Sequence, residues 1–421
     1  MDIQFWLFIK NLMKVLIVST SDISGGASRA TFRLHQALIN KNIKSQMLVI
    51  SKSSNDKNVQ VLRPSLNKFF YKLSYLTDSI LTRLYKKRQK RFFSNNLFSF
   101  NGLVKNINLI NPDVVHFHWV GNGLFSIIEL NKIKAPVIWS LHDNWLFTGG
   151  CHIMLDCYKY KVECKSCPNL GSSIDFDLSR LNFYIKKKAL KKKVELTIIG
   201  LSRWIYNCSK NSILLKDKTH YNIPNLIDTK VFKPRNKKIA RSKLGLPLNK
   251  KLILFGALDS TSEFNKGFEL LINTVKHINN SEIELLVFGR ANKEDLKNIN
   301  LKSHYLGYFD NDIDLVQLYN TADVMLVPSL QENLSNTIME AMSCGVPVVA
   351  FNIGGNSDLI EHKHNGYLAK PYECNDLKKG IDWALSNENL GINARAKILK
   401  EFESTLVVKR YINLYKKITK I

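Results

Sequence analysis

The sequence predicts an α/β protein of two Rossmann-like domains facing a central cleft, and three observations carry that prediction. Short β-branched runs alternate with longer amphipathic stretches in two successive series. Each series opens with a strand, a polar glycine-containing loop and an amphipathic helix. A stretch at about 224–250, with three prolines and a block of charges, reads as the connection between them. The expected domains are residues 13–225 and 226–421.

In the first series the candidate strands are 14–19 (KVLIVS), 45–50 (SQMLVI), 113–119 (DVVHFHW), 136–141 (PVIWSL) and 196–201 (LTIIGL). In the second they are 251–257 (KLILFGA), 283–289 (IELLVFG), 303–308 (SHYLGY), 323–329 (DVMLVPS) and 346–351 (VPVVAF). Nearly continuous apolar strands separated by helices indicate parallel sheets covered on both faces. The final stretch, from NARAKILKEF onward, reads as helices without a catalytic signal. With 421 residues, 45% hydrophobic and 10% aromatic, the chain can furnish a core in each domain.

Lys and Arg exceed Asp and Glu by 26, and the excess is uneven: residues 1–225 carry +21 and residues 226–421 carry +5. Two runs concentrate it, 67–93 (NKFFYKLSYLTDSILTRLYKKRQKRFF) and 184–195 (YIKKKALKKKVE). Each alone reads as a solvated face. Together they point to an anionic membrane surface or a polyanionic partner, because basic residues interleaved with aromatics suit an interfacial helix. Nucleic acid is not expected as a partner: there is no zinc-finger histidine pair, RNA-binding aromatic signature or helix-turn-helix pattern. No stretch approaches the eighteen apolar residues that span a bilayer, so the expected compartment is the cytoplasm, with peripheral attachment to the inner face of its membrane. The first residues, MDIQFWLFIKN, precede a second methionine, Met13, and read either as an upstream start or as a short apolar foot on a membrane.

Chemistry concentrates at strand ends. After DVMLVPS comes LQENLSNTIMEAMSCGVPVVAF, with Glu332 in a loop, Ser335 or Asn336 positioned to cap a helix that also carries Thr337, and Glu340 on that helix. Two glutamates at a strand's carboxyl edge can accept hydrogen bonds from sugar hydroxyls, while the free N–H groups of the helix face an anion. His142 follows the strand PVIWSL, and His116 and His118 lie in VVHFHW, where packing and acceptor binding are both open readings. Gly25 and Gly26 in SGGASR let backbone N–H groups approach a phosphate or an acceptor.

PSLQENLSNTIMEAMSCGVPVVAFNIGG resembles the donor-binding signature of glycosyltransferase family 4, and PNLIDTKVFKP, NKGFELL and ADVMLVPS fall around it in the family's order. The resemblance runs from Met13 over nearly the whole chain. It implies a GT-B fold and retaining transfer of a sugar from a nucleotide-sugar donor, UDP- or GDP-linked. It assigns Glu340 to the ribose hydroxyls, Glu332 to the donor sugar and Lys266 to the diphosphate, with Asn336, Thr337, Gly25 and Gly26 lining the donor. It places His142 against the donor sugar. Charge accumulates on the diphosphate as it leaves, so a fixed cation and N–H dipoles suffice there and no catalytic metal cofactor is required.

Cys151, Cys157, Cys164 and Cys167 stand within seventeen residues of HDNWLFTGGCHIMLDCYKYKVECKSCPNL, residues 142–170. In a reducing compartment clustered thiols indicate metal before disulfides, and C-x2-C lets two thiolates grip one tetrahedral zinc. Structural zinc, a redox-sensitive disulfide and unliganded thiols all remain open, zinc foremost. This stretch resembles a subgroup associated with colanic acid and related bacterial exopolysaccharides, in which a cysteine-bearing loop follows the His-Asp pair. The expected function is transfer of one sugar to a lipid-linked oligosaccharide acceptor in surface polysaccharide synthesis. A nucleotide-sugar epimerase or hydrolase on the same fold, and a basic zinc-containing nucleic-acid-binding protein, are the alternatives.

Overall fold

A computed structural model describes residues 13–62, 68–89, 91–193, 195–259, 263–291, 293–297 and 299–420. The N-terminal apolar stretch lies outside the described residues, as do positions 67 and 90 of the first basic run. The chain divides into two units, one of residues up to Pro224 together with those from Val408 onward, the other Asn225–Val407.

Unit 1 holds, among the described residues, a seven-stranded parallel sheet: β1 (Lys14–Val18), β2 (Lys44–Val49), β3 (Val59–Val61), β4 (Val114–Phe117), β5 (Val137–Leu141), β6 (Leu196–Gly200) and β7 (Thr219–Asn222). The order is β3-β2-β1-β4-β5-β6-β7, so the chain switches direction across the sheet between β1 and β4. The central strands β4, β5 and β6 are buried at every position, as a sheet covered on both faces requires. Phe117, Phe125, Trp139 and Trp145 pack in the core beneath, with the Phe117 and Trp139 rings 5.0 Å apart. Helix α1 (Gly26–Ile39) buries Ala30, Leu34 and Leu38, spaced four apart on one face. Gly25 precedes it at φ +90°, a conformation that L side chains rarely adopt. Helix α2 (Leu178–Lys192) starts at Asp177, whose carboxylate accepts the Arg180 N–H at 3.0 Å and the Cys167 N–H at 2.7 Å.

Unit 2 repeats the pattern with six parallel strands among the described residues: β8 (Lys251–Asp259), β9 (Ile283–Arg290), β10 (Ser303–Tyr305), β11 (Val324–Val327), β12 (Val348–Phe351) and β13 (Gly366–Ala369). Their order, β10-β9-β8-β11-β12-β13, places the equivalent switch between β8 and β11. Helix α3 (Asn336–Ser343) follows β11.

The structure corrects three expectations. The strands β3, β7 and β13 were not anticipated, because all three are short and lie at sheet edges with partly exposed residues, where no long apolar run forms. The stretch 224–250 is no free connection: Arg241, 4% exposed, donates to Asp323 Oδ2 at 2.6 Å and to the carbonyls of Thr321 and Lys250, each at 2.9 Å. The final helix α4 (Ser404–Thr419) was assigned to the second domain, but its residues from Val408 onward cluster with unit 1. Its buried tyrosines explain why: Tyr411 OH donates to the carbonyls of Ile223 and Pro224, and Tyr415 OH lies 2.8 Å from His116 Nδ1. Helical periodicity shows that such a helix has a buried face without showing which core receives it.

Candidate active site

Several expected site residues fall at the carboxyl edges of strands next to the switch points, where open α/β sheets bind ligands. In unit 2, Lys266 ends a 3-10 turn (Phe264–Lys266) that follows β8, and Glu332 lies in the loop after β11. The two are joined: Lys266 Nζ donates to Glu332 Oε1 at 2.9 Å, and Ser329 Oγ donates to the same oxygen at 2.8 Å. The Glu332 side chain is 10% exposed and that of Lys266 25%. Burial pulls the lysine's pKa down, but the carboxylates of Glu332 and Glu263 outweigh it and hold the ammonium charged above its ordinary range. One backbone and one side-chain hydrogen bond fix the turn against the loop, since Leu330 N–H donates to Asn265 O at 2.8 Å and Asn265 Nδ2 to Gln331 O at 2.7 Å. Gly354, at φ +51°, packs its Cα against the Glu332 carbonyl so closely that a Cβ would collide with it.

Helix α3 begins with Ser335 at the N-cap position. Its hydroxyl lies 3.0 Å from Thr337 Oγ1 and makes no side-chain cap bond to the helix N–H groups. Asn336 and Thr337 are partly exposed at this end, with Asn336 Oδ1 3.5 Å from Asn225 Nδ2. Glu340, one turn in and 3% exposed, accepts a hydrogen bond from Tyr319 OH at 2.7 Å. A charged ammonium, a carboxylate and a helix N-terminus thus stand on consecutive loops of one sheet edge, a set able to bind an anionic group attached to hydroxyl-bearing rings.

In unit 1, His142 stands just beyond β5, and its Nε2 lies 2.9 Å from His118 Nδ1 at the end of β4. Burial lowers the His142 pKa to about 4, against an opposing pull from Asp143, and lowers that of His118 well below the ordinary value. Both rings are therefore neutral near pH 7, with one proton shared along the contact. Asp143 accepts from Trp119 Nε1 at 2.8 Å and from the Trp145 N–H at 2.9 Å, and lies 2.6 Å from His152 Nδ1. Burial raises its pKa, but His152 and these donors outweigh that and keep the carboxylate ionised. His118, His142, Asp143, His152 and three tryptophans line one small cavity. His116 does not reach it: fully buried, it is held by Ser140 Oγ and Tyr415 OH, each at 2.8 Å, which favours the packing reading. Gly25 and Gly26 occupy the turn into α1, as expected from the sequence.

Sequence reasoning missed Ser329, Tyr319 and the His118–His142 contact, since hydroxyls and paired imidazoles leave no spacing signature. It also missed Lys186, a fully buried lysine on α2. Its ammonium donates to the carbonyls of Trp145 and Thr148 and lies 3.8 Å from the centre of the Trp145 ring, fixing the turn after the His-Asp pair.

The four cysteines of the loop line a single cavity. Cys151 and Cys167 place their sulfurs 4.0 Å apart, while Cys164 Sγ accepts the Gly149 N–H at 3.2 Å. Among the described residues no group of three or more His, Cys, Asp or Glu side chains is arranged to hold a metal ion. Zinc at Cys151, Cys157, Cys164 and Cys167 therefore stays an expectation of the sequence; in the structure the contacts of these sulfurs are the Cys151–Cys167 approach and the Gly149 N–H donated to Cys164.

Solved structures share this architecture throughout. Sucrose-phosphate synthase from Thermosynechococcus elongatus superposes with a TM-score of 0.68 at 18% identity, covering 96% of this chain and 99% of that one. HepE of Anabaena, solved with UDP and glucose, gives 0.66 at 18% identity with the same coverages. The fold is GT-B. Residues 236–401 match the model of the family described as glycosyl transferases group 1. An uncharacterised glycosyltransferase of Methanocaldococcus jannaschii is 29% identical over 189 residues, which span 42% of this chain and only 47% of that protein. N-acetyl-alpha-D-glucosaminyl L-malate synthase of Bacillus anthracis is 22% identical over 72% of this chain and 74% of its own. An N-acetylgalactosaminyltransferase of Campylobacter jejuni, named for a diacetylbacillosaminyl-diphospho-undecaprenol acceptor, is 28% identical over 28% of this chain and 31% of its own. The matched family model is one of glycosyltransferases, and the fold it meets here is GT-B.

Proposed function

We propose that this protein is a retaining glycosyltransferase that moves a sugar from a nucleotide-sugar donor to a lipid-linked oligosaccharide in bacterial surface polysaccharide synthesis. The observation that carries the reading is the Lys266–Glu332–Ser329 cluster beside the N-terminus of α3. A nucleoside diphosphate leaving group gains charge as the glycosidic bond to it breaks, and in this reading Lys266 and the helix N–H groups stabilise that charge. Glu340 serves the ribose hydroxyls and Glu332 the sugar. In unit 1 we assign His142 a hydrogen bond to a sugar hydroxyl, made by a neutral imidazole.

UDP as the nucleotude is favoured by the complexes of HepE with UDP and UDP-glucose. A lipid-linked acceptor is suggested by the name of the Campylobacter relative. Among the described residues no helix is long and apolar enough to cross a membrane, and in this reading the enzyme meets such an acceptor at the bilayer surface.

Thermal unfolding with UDP, GDP and no nucleotide tests the donor site. A nucleotide at a hundred times its Kd adds about 2.7 kcal/mol, which moves the midpoint of a domain this size by about 5–10 °C. The shift should vanish in Lys266→Ala and Glu340→Ala. A variant that retains both the shift and full transfer activity refutes the assignment, and turnover of nucleotide-sugar without any acceptor points to an epimerase or hydrolase.

A further inference from the structure

The cysteine-bearing loop and α2 together expose a face that the sugar-transfer chemistry leaves unused. Along α2, Leu181 and Tyr184 are 50% and 58% exposed, and Lys188, Lys191 and Lys192 are exposed on the same side of the helix. These five positions fall within about 100° of arc at 100° per residue. Just before the helix, Phe176 is 85% and Ile174 68% exposed, among the highest values for large apolar side chains in the protein. The Arg180 guanidinium lies 4.4 Å from the centre of the Phe176 ring and, through Nε, 3.0 Å from Glu163. That contact joins the helix to the loop, where Val162 is 77% exposed.

Acidic groups at this face are already matched. Glu163 is paired with Arg180, and Asp175 with Lys165 Nζ at 2.6 Å and Ser166 Oγ at 2.6 Å. Among the described residues Lys188, Lys191 and Lys192 form no ion pair, and Lys188 Nζ lies 5.4 Å from the centre of the Tyr184 ring. Large apolar side chains standing out from the backbone, with a row of lysines beside them, fit one chemistry: rings enter the interfacial zone of a bilayer while ammonium groups meet lipid phosphates. The face is also held rigid from beneath, by Asp177 bridging the Cys167 N–H to the first turn of α2 and by the buried Lys186.

We propose that the loop 158–176 and the outer face of α2 are a docking surface for an anionic lipid bilayer, and that the cysteine-bearing segment serves to present it. This inference rests on the lipid-linked-acceptor reading for its purpose but uses no residue of the donor site, so a failure of nucleotide binding leaves it standing.

The test is co-sedimentation of the full chain with vesicles of phosphatidylglycerol and phosphatidylethanolamine, beside pure phosphatidylcholine vesicles, in about 0.1 M salt. Wild type should partition onto the anionic vesicles and not the neutral ones, and high salt should release it. Each lysine near an anionic leaflet is worth about a five-fold change in partitioning, so Lys188→Gln with Lys191→Gln should weaken binding by about 25-fold. Phe176→Ser with Ile174→Ser should weaken it at least ten-fold. All four positions are exposed, so an unchanged thermal midpoint shows that the fold is intact. The proposal is overturned if wild type ignores anionic vesicles, or if either pair of variants binds as wild type does. It is also overturned if the same substitutions abolish binding to single-stranded RNA while vesicle binding persists, which would make this a nucleic-acid surface.

Discussion

Replacing Glu332 by glutamine separates the anchoring of a diphosphate from the chemistry that follows. In the ligand-free protein Lys266 is engaged by Glu332 Oε1 at 2.9 Å, so a bound diphosphate must draw the ammonium away from that carboxylate or share it. At an effective dielectric of about 20, unit charges 4 Å apart attract by about 4 kcal/mol. The exposure of the lysine side chain screens part of this. Glutamine retains an oxygen that can accept from both Ser329 and Lys266, but such bonds are worth about 0.5–1.5 kcal/mol where the acceptor is neutral and about 1.5–3 where it is charged. The ammonium is then easier to recruit by about 1–2 kcal/mol, and removing a carboxylate from beside the phosphates adds to the same direction. Glu332→Gln should therefore bind the nucleoside diphosphate about 5–30-fold more tightly by titration calorimetry, while sugar transfer falls by at least 100-fold. Unchanged or weaker nucleotide binding in a folded variant would refute the idea that Lys266 is shared between Glu332 and the donor.

Three further outcomes follow from buried groups. Burial depresses the Lys186 pKa to about 7; between pH 7 and 10 the unfolded chain then holds more protons, so stability should rise by up to about 1.4 kcal/mol per pH unit. Chemical denaturation at pH 7 and 9.5 should show that component in wild type and not in Lys186→Met; equal slopes would rule it out. Burial likewise depresses His116 to about 3, His142 to about 4 and His118 well below normal. Stability from these three neutral rings is fully present above about pH 6.5 and is lost on acidification toward pH 4, at up to about 4 kcal/mol per pH unit in total; urea midpoints across that range measure it, and a flat profile contradicts it. Gly354→Ala forces a Cβ onto the Glu332 carbonyl from a φ of +51°, and should lower stability by about 2 kcal/mol or more. A denaturation midpoint within error of wild type would show that the loop yields instead.

The interior strands were legible because continuous apolar runs leave few other places for a chain to go, whereas the strand order and its switch points came from the structure. The flanking strands were not: THYN at β7 and VQV at β3 are too short and too polar to announce themselves, and pairing with a neighbour defines them. Lys266 and Glu332, though 66 positions apart, were both singled out through motif order, yet their direct ion pair was not foreseen, since spacing carries no side-chain direction. In the cysteine loop the sequence counted thiols correctly but could not foresee that Cys164 Sγ accepts the Gly149 N–H. Arg241 was hidden in a charged block because its carbonyl partners are scattered along the chain.

The latch between His116 and Tyr415 also sets an order in time. Tyr415 is made 299 positions after the histidine it holds, which at 5–20 residues per second is a delay of about 15–60 s. All of unit 2 leaves the ribosome within that interval. Unit 1 therefore cannot complete this contact until unit 2 has been made, and through that interval the His116 imidazole lacks its Tyr415 partner.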